Sequence, residues 1–462
     1  MSQKKNGKLD FGSKTSCQTD LENGDNISLS WFRSSDKIIQ TPSDEKSGQI
    51  EHPTTYSETL IHILKGNLGS GLFAMGDAIR NSGMVFGPTV IIFLGLICTH
   101  CQHLLLTASD KITQRTGIKE SPNFAKTVEL CFANGPPLTQ RMAPVMRKLV
   151  NIFLCVTQLG FCCVYFVFIS DNIYSVCMSY GVDIDVHLHM LFILLPIIFC
   201  SLVRNLKYLA PLSLIANILM AVGFVITIYF LVVEMPPLKD VKLIANLDQI
   251  PLFFGTALFA FEGIGLVLPL KNEMKNPSSF QKPFGVLNIG MFLVTILYTT
   301  LGSMAFLTYG EDVKGSVTIN LPDTPLGTAV RVIIPTAILL SYALQFYIAV
   351  DIMWPVVSGA CGPLKHPIAS ELLFRAGLVL VTFALAEAIP YLRLFISLVG
   401  AISSTALALL FPPLLEFITC EITAWMVIKN VFILLLGVVG MVTGTYESIH
   451  SIVEAFQENA KS

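Results

Sequence analysis

Charge is scarce in this chain. Only 13% of its 462 residues are Asp, Glu, Lys or Arg, while 53% are hydrophobic. A soluble domain usually carries about 25% charge. A water-surrounded fold is therefore excluded, and lipid is the expected solvent. The formal net charge is -2, so neither sign dominates and nothing suggests a nucleic-acid partner. No G-x-x-x-x-G-K-[ST] phosphate loop is present, which argues against ATP-driven pumping. No catalytic constellation appears, so an enzyme is not expected, and no cofactor is called for. Only one glycosylation sequon, Asn26-Ile-Ser28, is free of an intervening proline.

Residues 1–52 lack any sustained apolar run. They hold seven Lys/Arg and eight Asp/Glu among many Ser, Asn and Gly. No cleavable leader is legible, and a disordered tail is expected there.

Long apolar runs fill the rest. A helix needs about 20 apolar residues to cross the ~30 Å hydrocarbon layer. Eleven runs qualify: 55–79, 86–107, 145–178, 188–204, 208–234, 250–271, 284–309, 328–357, 368–388, 390–411 and 425–446. The weakest separation, near Pro390, divides the ninth from the tenth. The expected organisation is a tail (1–52), a transmembrane domain (53–447) and a short C-terminal tail (448–462). Lys111, Arg115, Lys119, Lys126, Arg141, Arg147 and Lys148 lie between the second and third spans, and none lies between the third and fourth. The positive-inside rule then places the N-terminus in the cytosol and the C-terminal tail outside. A short surface helix is expected within Pro122–Thr139.

Two spans carry interruptions. The first contains Gly66, Asn67, Gly69, Ser70 and Gly71, and the sixth contains Phe261, Glu262, Gly263 and Gly265. Irregular backbone at membrane depth survives only where it lines a cavity or is buried in protein. The breaks lie five spans apart, which predicts an all-α, inverted 5+5 repeat of the LeuT-like kind, with one extra helix. A half-helix beginning near Gly71 offers free N–H groups and a positive dipole end to a carboxylate. Freed carbonyls around Phe261–Gly263 suit an ammonium group. A zwitterionic amino acid has both. The alternative is that these glycines only permit tight helix packing.

Ionisable residues inside spans are costly, and each is a functional candidate. His62 precedes Gly66 by one turn; an imidazole titrates near ~6.5 in water, which suits proton coupling. A structural hydrogen bond is the alternative. Glu262, in the second break, is read as holding the substrate amine, carrying the proton or capping freed N–H groups. Lys65 and Asp351 are read as an inner gate pair or as two side chains reaching for the headgroups. Tyr165, Phe261 and Tyr342 are candidate aromatic covers. Eleven cysteines occur, and those in spans, such as Cys98, Cys162 and Cys163, read as small apolar filler. The Cys98, His100, Cys101, His103 run is not expected to bind metal, because its side chains spread around a helix.

The run from Leu60 to Gly71 closely resembles the first span of animal proton-coupled amino-acid transporters. These form part of the amino acid/auxin permease branch of the amino acid–polyamine–cation superfamily. Thr157–Phe168 and Pro251–Leu270 resemble that family's third and sixth spans, and Tyr342–Tyr347 and Ile396–Gly400 its eighth and tenth. The resemblance covers roughly residues 53–450. It implies symport of glycine, alanine, proline and similar small neutral amino acids with protons, and it gives His62 the coupling role. Sodium-coupled relatives carry asparagine where this chain has Lys65, and a fixed ammonium there disfavours sodium. Vertebrate members carry a disulfide between the loops after spans 3 and 7. Here the second loop, 320–325, has no cysteine, which suggests an invertebrate-like member. Two other readings stay open: a sodium-coupled or uncoupled carrier of the same fold, and a sensor that signals through cytosolic partners of its N-terminal tail. Plasma membrane and lysosomal membrane are equally compatible with the sequence.

Overall fold

The computed structural model describes residues 53–118, 121–204, 206–236, 242–362 and 365–459. The tail at 1–52, with the Asn26 sequon, lies outside the described residues.

The described residues are nearly all helix. The helices, in order, are α1 (Tyr56–Asn67), α2 (Ser70–Phe73), α3 (Met75–Arg80), α4 (Phe86–Thr116), α5 (Phe124–Ala133), α6 (Ala143–Ser179), α7 (Val186–Ser201) and α8 (Leu206–Val233). After these come α9 (Ile250–Ala260), α10 (Ile264–Glu273), α11 (Val286–Tyr309), α12 (Pro325–Cys361), α13 (Pro367–Ala388), α14 (Leu392–Val399), α15 (Phe411–Thr419) and α16 (Ala424–Asn459). Among the described residues, nine helices are long and apolar enough to cross a bilayer. Two of the expected spans fall short on length. The first is cut into α1, α2 and α3, and the fourth is the 16-residue α7. The expected surface helix is α5, but it is not merely superficial. Its apolar face is buried, and Phe124 packs edge-on against Phe411 of α15.

Local chemistry sets the helix ends. Thr55 and Glu58 form a capping box: Thr55 Oγ1 accepts from the Glu58 N–H, and the Glu58 carboxylate accepts from the Thr55 N–H at 2.7 Å. The strand-like step before it ties α1 to the end of α10, because Thr54 N–H donates to Glu273 O and Lys275 N–H donates to Thr54 O, both at 2.9 Å. At the other end, α16 does not stop near residue 447. It continues to Asn459, and Ser448 is buried with its hydroxyl 2.9 Å from that of Ser397. The expected short C-terminal tail is therefore mostly helix.

The core lies where α12 packs against both α6 and α8, with α9 crossing α14. That crossing is very close. A Cβ on Gly400 would lie 1.9 Å from Gly255 O. Only glycine fits there, and the helix beyond it loosens into π-helical turns at Gly400–Ser404 and Ala406–Leu410. Such turns are rare and frequent at functional sites. The outer faces are apolar instead of polar: Leu214, Ile218 and Val225 of α8 and Trp425, Leu435 and Val442 of α16 are all exposed. In water such a surface would aggregate; in lipid it is matched by its solvent.

Two buried arginines are held by partners. Arg375 bonds Glu371 and donates to the carbonyls of Ser201 and Val203, both at 3.2 Å, so it caps the C-terminal end of α7. At the opposite face, Arg331 is held by Ser175, Ser179, Asp323 and the Pro322 carbonyl. This cluster joins the end of α6, the start of α12 and the loop between α11 and α12.

Candidate functional site

Both expected breaks are present. The first span stops at Asn67, and Gly69 has φ -138° and ψ -148° before α2 starts at Ser70. The sixth stops at Ala260, and α10 starts at Ile264. Among the described residues, the N–H groups of Ser70 and Gly71 meet no backbone carbonyl, and the carbonyls of Phe261 and Glu262 meet no backbone N–H. Each break thus leaves main-chain polar groups without a backbone partner. The two strands touch: a Cβ on Gly71 would lie 2.9 Å from Ala260 Cα.

A cavity of about 320 Å³ opens beside them. That is the size of a small-molecule site. Its lining includes Gly66, Asn67, Gly69, Ser70, Gly71, Tyr165 and Glu262, all expected from sequence. The lining also includes Lys65 and His62 of α1, Leu270 and Glu273 of α10, and Ile348 of α12. His62 is exposed and Lys65 is half-buried. Phe161 and Phe259, also in the lining, meet edge to face, their centroids 4.7 Å apart.

Four expectations need correction. Phe261 is 1% exposed and its ring packs on Tyr298, 5.1 Å away, instead of covering the cavity. Tyr342 is fully buried, its hydroxyl 2.8 Å from that of Thr382 and its ring stacked on Phe346. The aromatic side chains that line the cavity are Phe161, Tyr165 and Phe259. Lys65 and Asp351 form no ion pair; Lys65 faces the cavity and Asp351 is exposed. Gly263 is set back from the cavity and borders a separate void of about 10 Å³, shared with Asn67 and Gln102.

Glu262 is 6% exposed, and its carboxyl approaches the Ser404 hydroxyl on the π-helical turn, but no well-formed hydrogen bond reaches its Oε2 among the described residues. A buried polar atom without a partner is costly and marks a place where a ligand or proton would be accepted. Asn67 holds its Nδ2 against Ile63 O at 2.9 Å, leaving Oδ1 unpaired.

Sequence reasoning missed Tyr298 of α11. Its hydroxyl lies 2.5 Å from Asn67 O and 2.7 Å from Ala260 O, the last residues before the two breaks. It also missed Asn217, Ser341 and Gln345, which give the cavity polar walls from α8 and α12. These residues sit singly in apolar helices and carry no motif.

A family model described as "Transmembrane amino acid transporter protein" matches residues 52–450. The chain belongs to the transmembrane amino acid transporter family. It is 37% identical over 417 residues to "Proton-coupled amino acid transporter-like protein pathetic" of Drosophila melanogaster, covering 88% of this chain and 87% of that one. It is 25% identical over 443 residues to "Probable amino acid transporter skat-1" of Caenorhabditis elegans, covering 91% and 94%. Among solved structures, it resembles the inward-facing conformation of Mhp1, with TM-score 0.52, 14% identity and coverage of 90% of this chain and 95% of that one. This transporter therefore has the LeuT-like fold expected from its two breaks, and it is not an enzyme.

Proposed function

We propose that this transporter carries small neutral amino acids of the glycine, alanine and proline type together with protons, by alternating access. The observation that carries the reading is the cavity lined by both breaks, with Ser70 and Gly71 of one and Ala260 and Glu262 of the other. The substrate carboxylate meets the N–H groups of Ser70 and Gly71, at the positive end of the second half of the first span. The ammonium meets the freed carbonyl of Glu262, which lines the cavity. Phe161, Phe259 and Tyr165 enclose the side chain. The D. melanogaster relative is named as proton-coupled, which supports the same coupling here. His62 is the proton carrier at the cavity mouth, and Glu262 is a second protonatable group at the breaks.

With eleven spans and a cytosolic N-terminus, the cavity faces the cytosol. The unpaired Lys65 and Asp351 are then an open inner gate, and their closing onto each other accompanies the outward-facing state. The Arg331 cluster lies on the far, sealed face. The test is uptake of labelled alanine and proline at about pH 5.5 and about pH 7.5, with and without sodium, for wild type and His62→Ala. Acid-stimulated, sodium-independent uptake that loses its acid stimulation in His62→Ala is expected. Uptake that follows sodium and ignores pH overturns the coupling, and acid stimulation that persists in His62→Ala overturns the role of His62.

A further inference from the structure

Two helices end at the middle of this protein with their carbonyls turned toward one point. Asn67 O is the last carbonyl of α1, and Ala260 O is the last of α9. Each carries the partial negative charge of a helix C-terminus. Two such ends brought together inside a membrane protein repel each other unless a positive or hydrogen-bearing group stands between them. In transporters with discontinuous helices, that group is commonly a coupling cation, held by half-helix C-terminal ends and unwound carbonyls.

Here a side chain stands there. Tyr298 is fully buried. Its hydroxyl is 2.5 Å from Asn67 O and 2.7 Å from Ala260 O, and its ring is anchored edge-on against Phe261, inside the second break. A phenol has one proton and two acceptors to serve. It therefore donates to one carbonyl at a time or is shared between both. We infer that the Tyr298 hydroxyl occupies the place of a coupling metal cation: it joins the two half-helix ends and leaves no room between these carbonyls for sodium. Tyr298 acts through the two breaks and touches no substrate atom, so it is a positioning residue. The inference rests on reading the breaks as the working hinge, but not on the identity of the amino acid carried.

The test needs no substrate. The purified full chain is melted in detergent in choline chloride and in sodium chloride at equal ionic strength. Wild type is expected to melt at the same temperature in both. Tyr298→Ala opens a void between the two carbonyls; it is expected to melt several degrees lower in choline chloride and to regain at least half of that loss in sodium chloride. Tyr298→Phe keeps the ring in place and loses only the O–H. It is expected to melt about 2–4 °C lower than wild type in both salts, with no recovery in sodium. A sodium-dependent rise in wild type overturns the inference. So does Tyr298→Phe melting with wild type, or Tyr298→Ala losing as much in sodium as in choline, whether by melting or by failure to fold. A merely structural tyrosine would lower stability without any preference for sodium. Failure of wild type to take up alanine would overturn the proposed function and leave this result standing.

Discussion

Asn67 and Gly263 face each other across the two breaks: a Cβ on Gly263 would lie 3.0 Å from both Asn67 Oδ1 and Nδ2. A side chain at 263 would push directly on the residue that ends α1. The same closeness recurs between Gly71 and Ala260, so the two half-helix junctions pack directly on each other. Gly71→Ala is expected to cut uptake by about tenfold or more, because the added methyl meets backbone and overpacking of this kind costs about 1–3 kcal/mol. At Gly66 the nearest atom is the end of the Leu266 side chain, which can swing aside. Gly66→Ala should lose less. Uptake normalised to protein in the membrane compares the two.

The covers of the cavity set the size of its cargo. Phe259→Ala removes the ring that meets Phe161. The variant should raise the KM for alanine by about tenfold and admit larger side chains such as leucine. Competition of labelled alanine by leucine in wild type and variant measures the change.

Glu262 separates proton carriage from simple capping. A glutamine keeps its shape and a hydrogen-bond acceptor but cannot release a proton. Glu262→Gln is expected to retain exchange of labelled for unlabelled alanine across proteoliposomes while losing concentrative, acid-driven uptake. Full concentrative uptake by this variant would reduce Glu262 to a cap of the freed N–H groups.

The sealed face has its own pH limit. The Ser179 hydroxyl and then the Arg331 guanidinium hold the Asp323 carboxyl below its ordinary range. A depressed carboxyl stabilises the folded state above its unfolded pKa of ~3.9 and loses that contribution as pH falls through the lower folded value. The Arg331 cluster thus stays intact throughout the range in which His62 is tested. Asp323→Asn should lower the melting temperature at neutral pH and leave the acid stimulation of uptake unchanged. A flattened pH profile in this variant would move the pH response from the cavity to the far face.

The breaks were legible because glycine and small polar residues stand out in apolar helices, and each such residue has a backbone reason to be there. The capped start of α1 and the buried face of α5 followed from ordinary helix patterning. The covers were not legible. Phe259 and Phe261 are two residues apart at the point where the helix unwinds, so helical phase no longer says which ring faces the cavity. Tyr342 sits on a regular helix, but its direction depends on Thr382, forty residues further along the chain. Tyr298 bonds backbone atoms, 231 and 38 residues away in sequence, and a backbone partner leaves no mark on the residue types around it. The run past residue 447 was hidden because its polar side chains read as a tail, whereas Ser448 is buried by contact with Ser397.

The most direct measurement is alanine accumulation in sodium-free proteoliposomes at equal pH on both sides, with an inside-negative potassium diffusion potential. One proton moving with a zwitterion carries one charge, and ~100 mV then contributes about 2.3 kcal/mol. Accumulation of about fiftyfold that collapses with a protonophore is the expected result for wild type. Accumulation that ignores the potential, or that appears only after sodium is added, would contradict proton-coupled symport through the cavity between the two breaks.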